Sequence, residues 1–167
     1  MSSTRPLITP FLWFDHQAEE AVAFYTSIFP SSKVRSVVRY DAAGAAAAGR
    51  PEGSAMTVDF ELGGQPFTAL NGGPHFRFTE ALSLVVHCAT QADVDHYWER
   101  LSDGGDPAAQ QCGWLKDRYG LSWQVIPDEL PTLLGDPDPG RARRAMQAML
   151  SMKKLDVGAL RAAAEGR

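Results

Sequence analysis

The chain has 167 residues, enough for one domain or two small modules that bury a core without disulfide staples. Its 44% hydrophobic content and net charge of −4, with acids and bases interspersed, describe an ordinary globular protein and argue against a nucleic-acid partner. Two cysteines without C-x-x-C spacing make neither a disulfide framework nor a zinc knuckle, no apolar run approaches the about 18 residues of a membrane span, and no signal-cleavage site follows the N-terminus, so a cytoplasmic protein is expected.

Residues 7–14, LITPFLWF, are rich in aromatic and branched side chains and predict a strand, with Pro10 near its edge or end. A helix follows. Asp15 is its start signal, Glu19 and Glu20 sit where acids favour a helix N-terminus, and Pro30 stops it. Ala21, Val22, Tyr25, Ile28 and Phe29 recur at three-and-four spacing and make one apolar face. KVRSVVRY, residues 33–40, predicts a second strand, and the glycines and proline of 41–54 read as a mobile loop rather than a helix. Residues 55–62 alternate, with Met56, Val58, Phe60 and Leu62 on one side and Thr57, Asp59 and Glu61 on the other. Gly63-Gly64 turns the chain into a fourth strand, 65–71, which Gly72-Gly73-Pro74 ends.

The order then repeats. Residues 81–88 predict a strand, 91–102 a helix with Val94, Tyr97, Trp98 and Leu101 inward, and 108–115 with 121–126 a hairpin around KDRYG. Asp117 and Arg118 are expected as solvated turn residues. Beyond Pro127 the composition turns to Pro and Asp. Residues 140–154 then predict an amphipathic helix whose apolar side carries Ala145, Met146, Met149, Leu150 and Met152, and 156–165 a last short helix. The expected organisation is two βαβββ modules, 6–74 and 75–131, with a helical extension over 132–167: an α+β chain with a curled mixed sheet.

Four stretches, PFLWFDHQAEEAVAFYTSIFP, FTALNGGP, QCGWLKDRYGLSWQVIP and MQAMLSMKKLDVGALRAA, resemble the PhnB-like proteins in the same order along the chain. That branch of the vicinal oxygen chelate superfamily, with glyoxalase I and the extradiol dioxygenases as wider relatives, often carries the label 3-demethylubiquinone-9 3-methyltransferase. The resemblance implies a glyoxalase-like fold whose strands curl around a cup, and a homodimer. Fold alone does not fix the activity. A methyltransferase cofactor site of the Rossmann kind wants a glycine-rich turn after the first strand, and here that strand runs into Asp15-His16-Gln17 instead.

The superfamily's enzymes hold a divalent ion with one side chain from each of four strands. The positions matching them by motif look like Thr9, Ala69, Ser83 and Gln124, of which only Gln124 is a usual ligand type. Asp15, His16, His87 and Cys112 could be imagined as another donor set, but Asp15 and His16 at a strand-to-helix junction read more simply as a helix cap. No metal or other cofactor is expected.

Strand parity assigns the cup face. Leu84, Val86 and Cys88 form the apolar set suited to helix packing, which turns Ser83, Val85 and His87 to the cup. Leu121, Trp123 and Val125 do the same for Ser122, Gln124 and Ile126. Thr9, Phe11 and Trp13 share one side of the first strand, Asn71 ends the fourth at the rim, and Cys112 or Gly113 lies across from Gln124, depending on the turn register. The expected ligand-binding residues are therefore Phe11, Trp13, Asn71, Ser83, His87, Cys112 and Gln124, with His87 the candidate catalytic base because it titrates near neutrality. Two readings follow: a protein that binds a small aromatic or amphipathic molecule, or an enzyme of unknown reaction, isomerase- or lyase-like, or the methyltransferase of the label.

Overall fold

A computed structural model describes residues 6–167 and divides the chain into two compact units, one ending at Arg77 and the other beginning at Phe78. The architecture is α+β with one mixed sheet in each unit.

The first unit runs β1 (Phe11–Phe14), α1 (Ala18–Ile28), β2 (Lys33–Arg39), α2 (Ala42–Ala48), β3 (Ala55–Leu62) and β4 (Gln65–Asn71). Its strands are ordered β1-β4-β3-β2, with β1 parallel to β4 and the others antiparallel. The apolar spacing of α1 is used as expected: Ala18, Ala21, Val22, Tyr25 and Ile28 are all buried. They lie on the sheet face made by Leu12 and Phe14 of β1, Phe67 and Ala69 of β4, and Val58, Phe60 and Leu62 of β3. The Val, Leu, Ile and Phe side chains among these contribute roughly 1.5–3 kcal/mol each on burial.

Two local expectations change. Residues 41–54 are not simply a loop, because Ala42–Ala48 form a helix. Asp41 accepts from Gly44 N at 2.7 Å, Gly49 takes the left-handed conformation at the other end, and the alanines between are the best helix formers. The start of α1 is not capped by Asp15 either. The amide of Ala18 donates to Oδ1 of Asn71, 53 residues away, at 2.8 Å.

The second unit runs β5 (Ser83–Cys88), α3 (Gln91–Ser102), β6 (Trp114–Lys116), β7 (Ser122–Pro127), α4 (Leu130–Leu134), α5 (Pro139–Leu150) and α6 (Val157–Glu165). Thr90 and Asp93 close a reciprocal capping box at the start of α3. The sheet order is β5-β7-β6, with β5 parallel and β6 antiparallel to β7. This sheet has three strands where the first has four. The stretch after α3 cannot supply the missing edge: Pro107–Ala109 make a 3-10 turn, and Gly105 lies so close to Lys116 that a Cβ would sit 2.1 Å from its carbonyl oxygen.

The C-terminal helices belong to this second unit. Leu130, Leu133, Ala145, Leu155, Leu160 and Ala164 form their buried cluster, with Met149 and Met152 packed against it. Met146 and Leu150, expected on the same apolar side of α5, are exposed. The short helix α4 was not anticipated; its Leu130 and Leu133 face this cluster, and Pro131 is tolerated in its first turn. The amides of Cys112 and Gly113 donate to the carbonyls of Met152 and Lys153, both at 2.8 Å. The Gln91 amide group bonds the Leu155 carbonyl at 3.1 Å and the Val157 amide at 2.8 Å. Among the described residues no helix is long and apolar enough to cross a membrane.

Candidate functional site

In the first unit α1 covers one face of the sheet, and alternation turns Phe11 and Trp13 to the other. Phe11 pairs in register with Thr68 and Trp13 with Leu70. Phe11 is 57% exposed, high for a phenylalanine inside a strand. Trp13 is fixed on three sides. Its indole Nε1 donates to the Gly73 carbonyl at 2.9 Å, the Phe76 ring stands almost perpendicular to it at 4.8 Å, and its six-membered ring lies directly over Gly72. The same sheet face is polar farther from β1. Thr68 Oγ1 and Ser36 Oγ donate to the Asp59 carboxylate at 2.6 and 3.2 Å, and Arg35 pairs with Glu61.

Asn71 is not a rim residue. It is buried, its Oδ1 accepts from Ala18 N, its Nδ2 donates to the Ala55 carbonyl at 3.0 Å, and its own carbonyl accepts from the Tyr40 hydroxyl at 2.7 Å. The side chain joins α1, β3 and β4 in the interior, away from a rim. At the same end of the sheet Asp15 pairs with Arg50 at 3.4 Å and with His16 at 3.3 Å, and Arg50 Nε is buried without a partner.

In the second unit Val86, Cys88, Trp123 and Val125 are buried on one face, while Ser83, Val85, His87 and Gln124 lie on the other. Ser122 and Ile126, expected on that second face as cup residues, are not open: Ser122 is buried and Ile126 packs against the C-terminal helices. Ser83 and Gln124 meet on that face, the Gln124 amide donating to Ser83 Oγ at 2.9 Å. Ser122, between them and Lys116 in register, has a buried hydroxyl with no hydrogen-bond partner. Lys116 pairs with Glu80, and this hydrogen bond holds the Glu80 carboxyl below its ordinary value. His87 is exposed, with Nδ1 3.9 Å from the Asp128 carboxylate.

The two cysteines differ in role. Burial, then the charges of Asp93 and Asp128, push the Cys88 thiol up to about 12, which makes it inert. Cys112 is half-buried and sits at φ 53°, a conformation unusual for any residue but glycine, in the turn that grips the Met152–Lys153 carbonyls. Asp117, expected in solvent, is 3% exposed. Its carboxylate accepts from the amides of Tyr119 and Leu121, at 2.8 and 3.1 Å, and from the Trp123 indole at 2.8 Å. Much of QCGWLKDRYGLSWQVIP is therefore a clasp for its own hairpin and for the C-terminal segment, while Gln124 and its register partner Trp114 share the sheet face opposite Leu115 and Trp123. The sequence sign of this was the pairing of Asp117 with Gly120, an Asx-type turn that a buried tryptophan two residues beyond Leu121 could reach.

A cavity of about 180 Å³ lies inside the second unit, where Cys88, Gln91, Glu129, Val157 and Arg161 are among the lining residues. Its polar side chains are already engaged: Arg161 is forked onto Glu129, and Gln91 holds the C-terminal segment.

The donor set does not fit the chelated metal that the fold family implies. Of the four matching positions, Ala69 carries no donor and is buried on the α1 side, Ser83 and Gln124 offer a hydroxyl and an amide that bond to each other, and Thr9 offers one hydroxyl. Neutral oxygens of this kind do not hold a borderline metal against water. Among the described residues no three His, Cys, Asp or Glu side chains come together as a metal site.

Residues 6–126 match the family model described as 3-demethylubiquinone-9 3-methyltransferase. Among solved structures, the chain is 37% identical to a putative 3-demethylubiquinone-9 3-methyltransferase, PhnB protein, from Bacillus cereus, covering 73% of this chain and 99% of that one with a TM-score of 0.62. The protein PA1353 from Pseudomonas aeruginosa is 18% identical over 74% of this chain and 98% of its own, with a TM-score of 0.56, which shows a shared fold alone. No curated protein matches the sequence. The extent of the family match and the 37% identity over nearly all of the Bacillus cereus protein establish that the chain belongs to the PhnB-like, 3-demethylubiquinone-9 3-methyltransferase-labelled family.

Proposed function

We propose that the protein binds a small aromatic or amphipathic molecule against the uncovered face of its first sheet, without the chelated metal of its superfamily. The observation that carries this reading is the aromatic pair Phe11 and Trp13 on a sheet face that α1 leaves open, with Trp13 held in place and Phe11 largely exposed. Rigid aromatic rings beside a few polar groups, here Thr68 and Asp59, are what orient a small ligand. The protein is taken to act in the cytoplasm as a homodimer; the apolar side chains of Leu7, Ile8 and Phe11 along the β1 edge of the sheet favour a covering partner.

Native mass spectrometry of freshly purified protein tests the reading by seeking a copurified small molecule and the doubled chain mass. Titration with the amphipathic fluorophore 8-anilinonaphthalene-1-sulfonate (ANS) supplies a defined probe. Saturable binding of one ANS per chain that Trp13→Ala abolishes is expected. Binding unaffected by that change removes the aromatic face as the site.

A second reading, an isomerase- or lyase-like enzyme, is favoured by His87 beside Asp128 at 3.9 Å on the same face as the Ser83–Gln124 pair, since a carboxylate near an imidazole supports base catalysis. Turnover of any substrate that disappears in His87→Ala while ANS binding persists would select it. The methyltransferase name has no such support: β1 passes into Asp15-His16-Gln17, with no glycine-rich turn for an anionic cofactor. Calorimetry with S-adenosylmethionine is expected to show no saturable heat.

A further inference from the structure

The ring of Trp13 and the backbone of Gly72 occupy each other's space. A Cβ built on Gly72 would fall 2.2 Å from Trp13 Cζ2, 2.5 Å from Cε2 and 2.6 Å from Cη2. Real Cβ contacts do not occur at such distances, and the indole is rigid, so any side chain at this position displaces the ring. The next residues complete the arrangement. Gly73, in the left-handed region at φ 89°, turns its carbonyl to the indole N–H, and Phe76 meets the ring edge-on although it is itself 64% exposed. An exposed phenylalanine is better buried than spent on one edge contact, unless that contact has a use. Gly72 N also bonds the Phe14 carbonyl at 2.9 Å and Gly73 N the Asp15 carbonyl at 3.1 Å, so the clasp is anchored to the strand that carries the tryptophan.

We infer that Gly72 is the positioning residue of the aromatic wall: by lacking a side chain, and with Gly73 and Phe76, it holds the Trp13 indole in one orientation, so that a flat aromatic ligand meets a preformed surface. This rests on the binding reading above. Preorganisation of this kind lowers the ordering cost of binding, and its loss is felt in affinity before it is felt in the fold.

The experiment is ANS titration of the whole chain in four forms: wild type, Gly72→Ala, Trp13→Phe and the double variant. Phenylalanine keeps an aromatic ring at position 13 but lacks the Cζ2 and Cη2 atoms that an alanine Cβ would strike. Gly72→Ala alone is expected to weaken ANS binding about tenfold, and in the Trp13→Phe background by no more than about twofold. Equal affinity for wild type and Gly72→Ala overturns the inference, and so does an equal loss in both backgrounds, which would mark Gly72 as merely structural. Should Gly72→Ala fail to fold, Phe76→Ala replaces it, since that ring is mostly in solvent; about threefold weaker binding is expected, and an unchanged affinity overturns the inference. A wild type that binds no ANS saturably overturns the binding reading itself, and this inference with it.

Discussion

Asn71 and Asp117 are both short polar side chains buried where a strand meets a turn, and they work at opposite ranges. Asn71 joins the Ala18 amide and the Ala55 carbonyl, 53 and 16 residues away, and so fixes where α1 and β3 meet β4 in the first unit. Asp117 accepts from Tyr119, Leu121 and Trp123, two to six residues on, and fixes a hairpin in the second. The neutral amide both donates and accepts, which suits a junction between a helix start and a strand carbonyl. The carboxylate only accepts, which suits a turn whose amides all point inward. A position at the end of a strand thus says little about whether a polar side chain serves a ligand; the demand of the nearby backbone decides it.

The largest effect is expected from Asp117→Ala. It leaves two backbone amides and the Trp123 indole N–H without their acceptor in a buried site, and should cost about 3 kcal/mol. Chemical denaturation measures it, and the near-ultraviolet signal of Trp123 should change with it. A loss below about 1 kcal/mol would mean that water replaces the carboxylate, and the turn would then be as solvated as its sequence suggested.

Asn71→Ala follows at about 2 kcal/mol, for one orphaned helix amide and one orphaned carbonyl. Asn71→Asp separates the two bonds: the carboxylate still accepts from Ala18 N but cannot donate to Ala55, so it should recover about half of the loss. A substitution that left stability untouched and weakened ANS binding would return Asn71 to the ligand site.

These two residues also show what the sequence makes legible. Periodicity found α1, α3 and β3 because burial on one face imposes a repeat that any single window displays, and the glycine pairs on either side marked out β4. It placed Ser83, His87 and Gln124 on the open face for the same reason: parity is a local property of a strand. The partners of Asn71 and the Gly72–Trp13 contact could not be seen, since both depend on β1 lying parallel beside β4, a pairing between segments more than fifty residues apart. The helix α2 is hard to read because Gly44, Gly49 and Pro51 are loop signals, set against an alanine run with an aspartate before it and a glycine after it. The tail clasp at Cys112 and Gly113 could not be read at all, because carbonyls of an irregular segment have no sequence signature.

A smaller effect distinguishes the two cysteines. The Cys88 thiol is pushed from 9.0 up to about 12 by burial and by the charges of Asp93 and Asp128. The folded state therefore favours the neutral thiol, and the unfolded chain loses that proton more easily. The stability this contributes is whole below pH 9 and declines as pH rises from 9.0 toward about 12. Denaturation midpoints of wild type and Cys88→Ala should converge across that window. A thiol reagent at pH 8 should label Cys112 in the native protein and Cys88 only on unfolding; native labelling of Cys88 would contradict its burial.

The smallest expected effect is that of His87→Ala on stability. The side chain is 75% exposed and its contact with Asp128, itself 55% exposed, spans 3.9 Å, so the pair is screened by water and little of the fold depends on it. The change should stay within about 0.5 kcal/mol. That makes the substitution a clean probe, because a functional loss cannot be assigned to unfolding. Under the enzymatic reading, turnover falls by the factor of about 10²–10⁴ that a lost general base costs. A stability change larger than about 1 kcal/mol would show instead that His87 packs in the folded protein, and that parity assigned it to the wrong face.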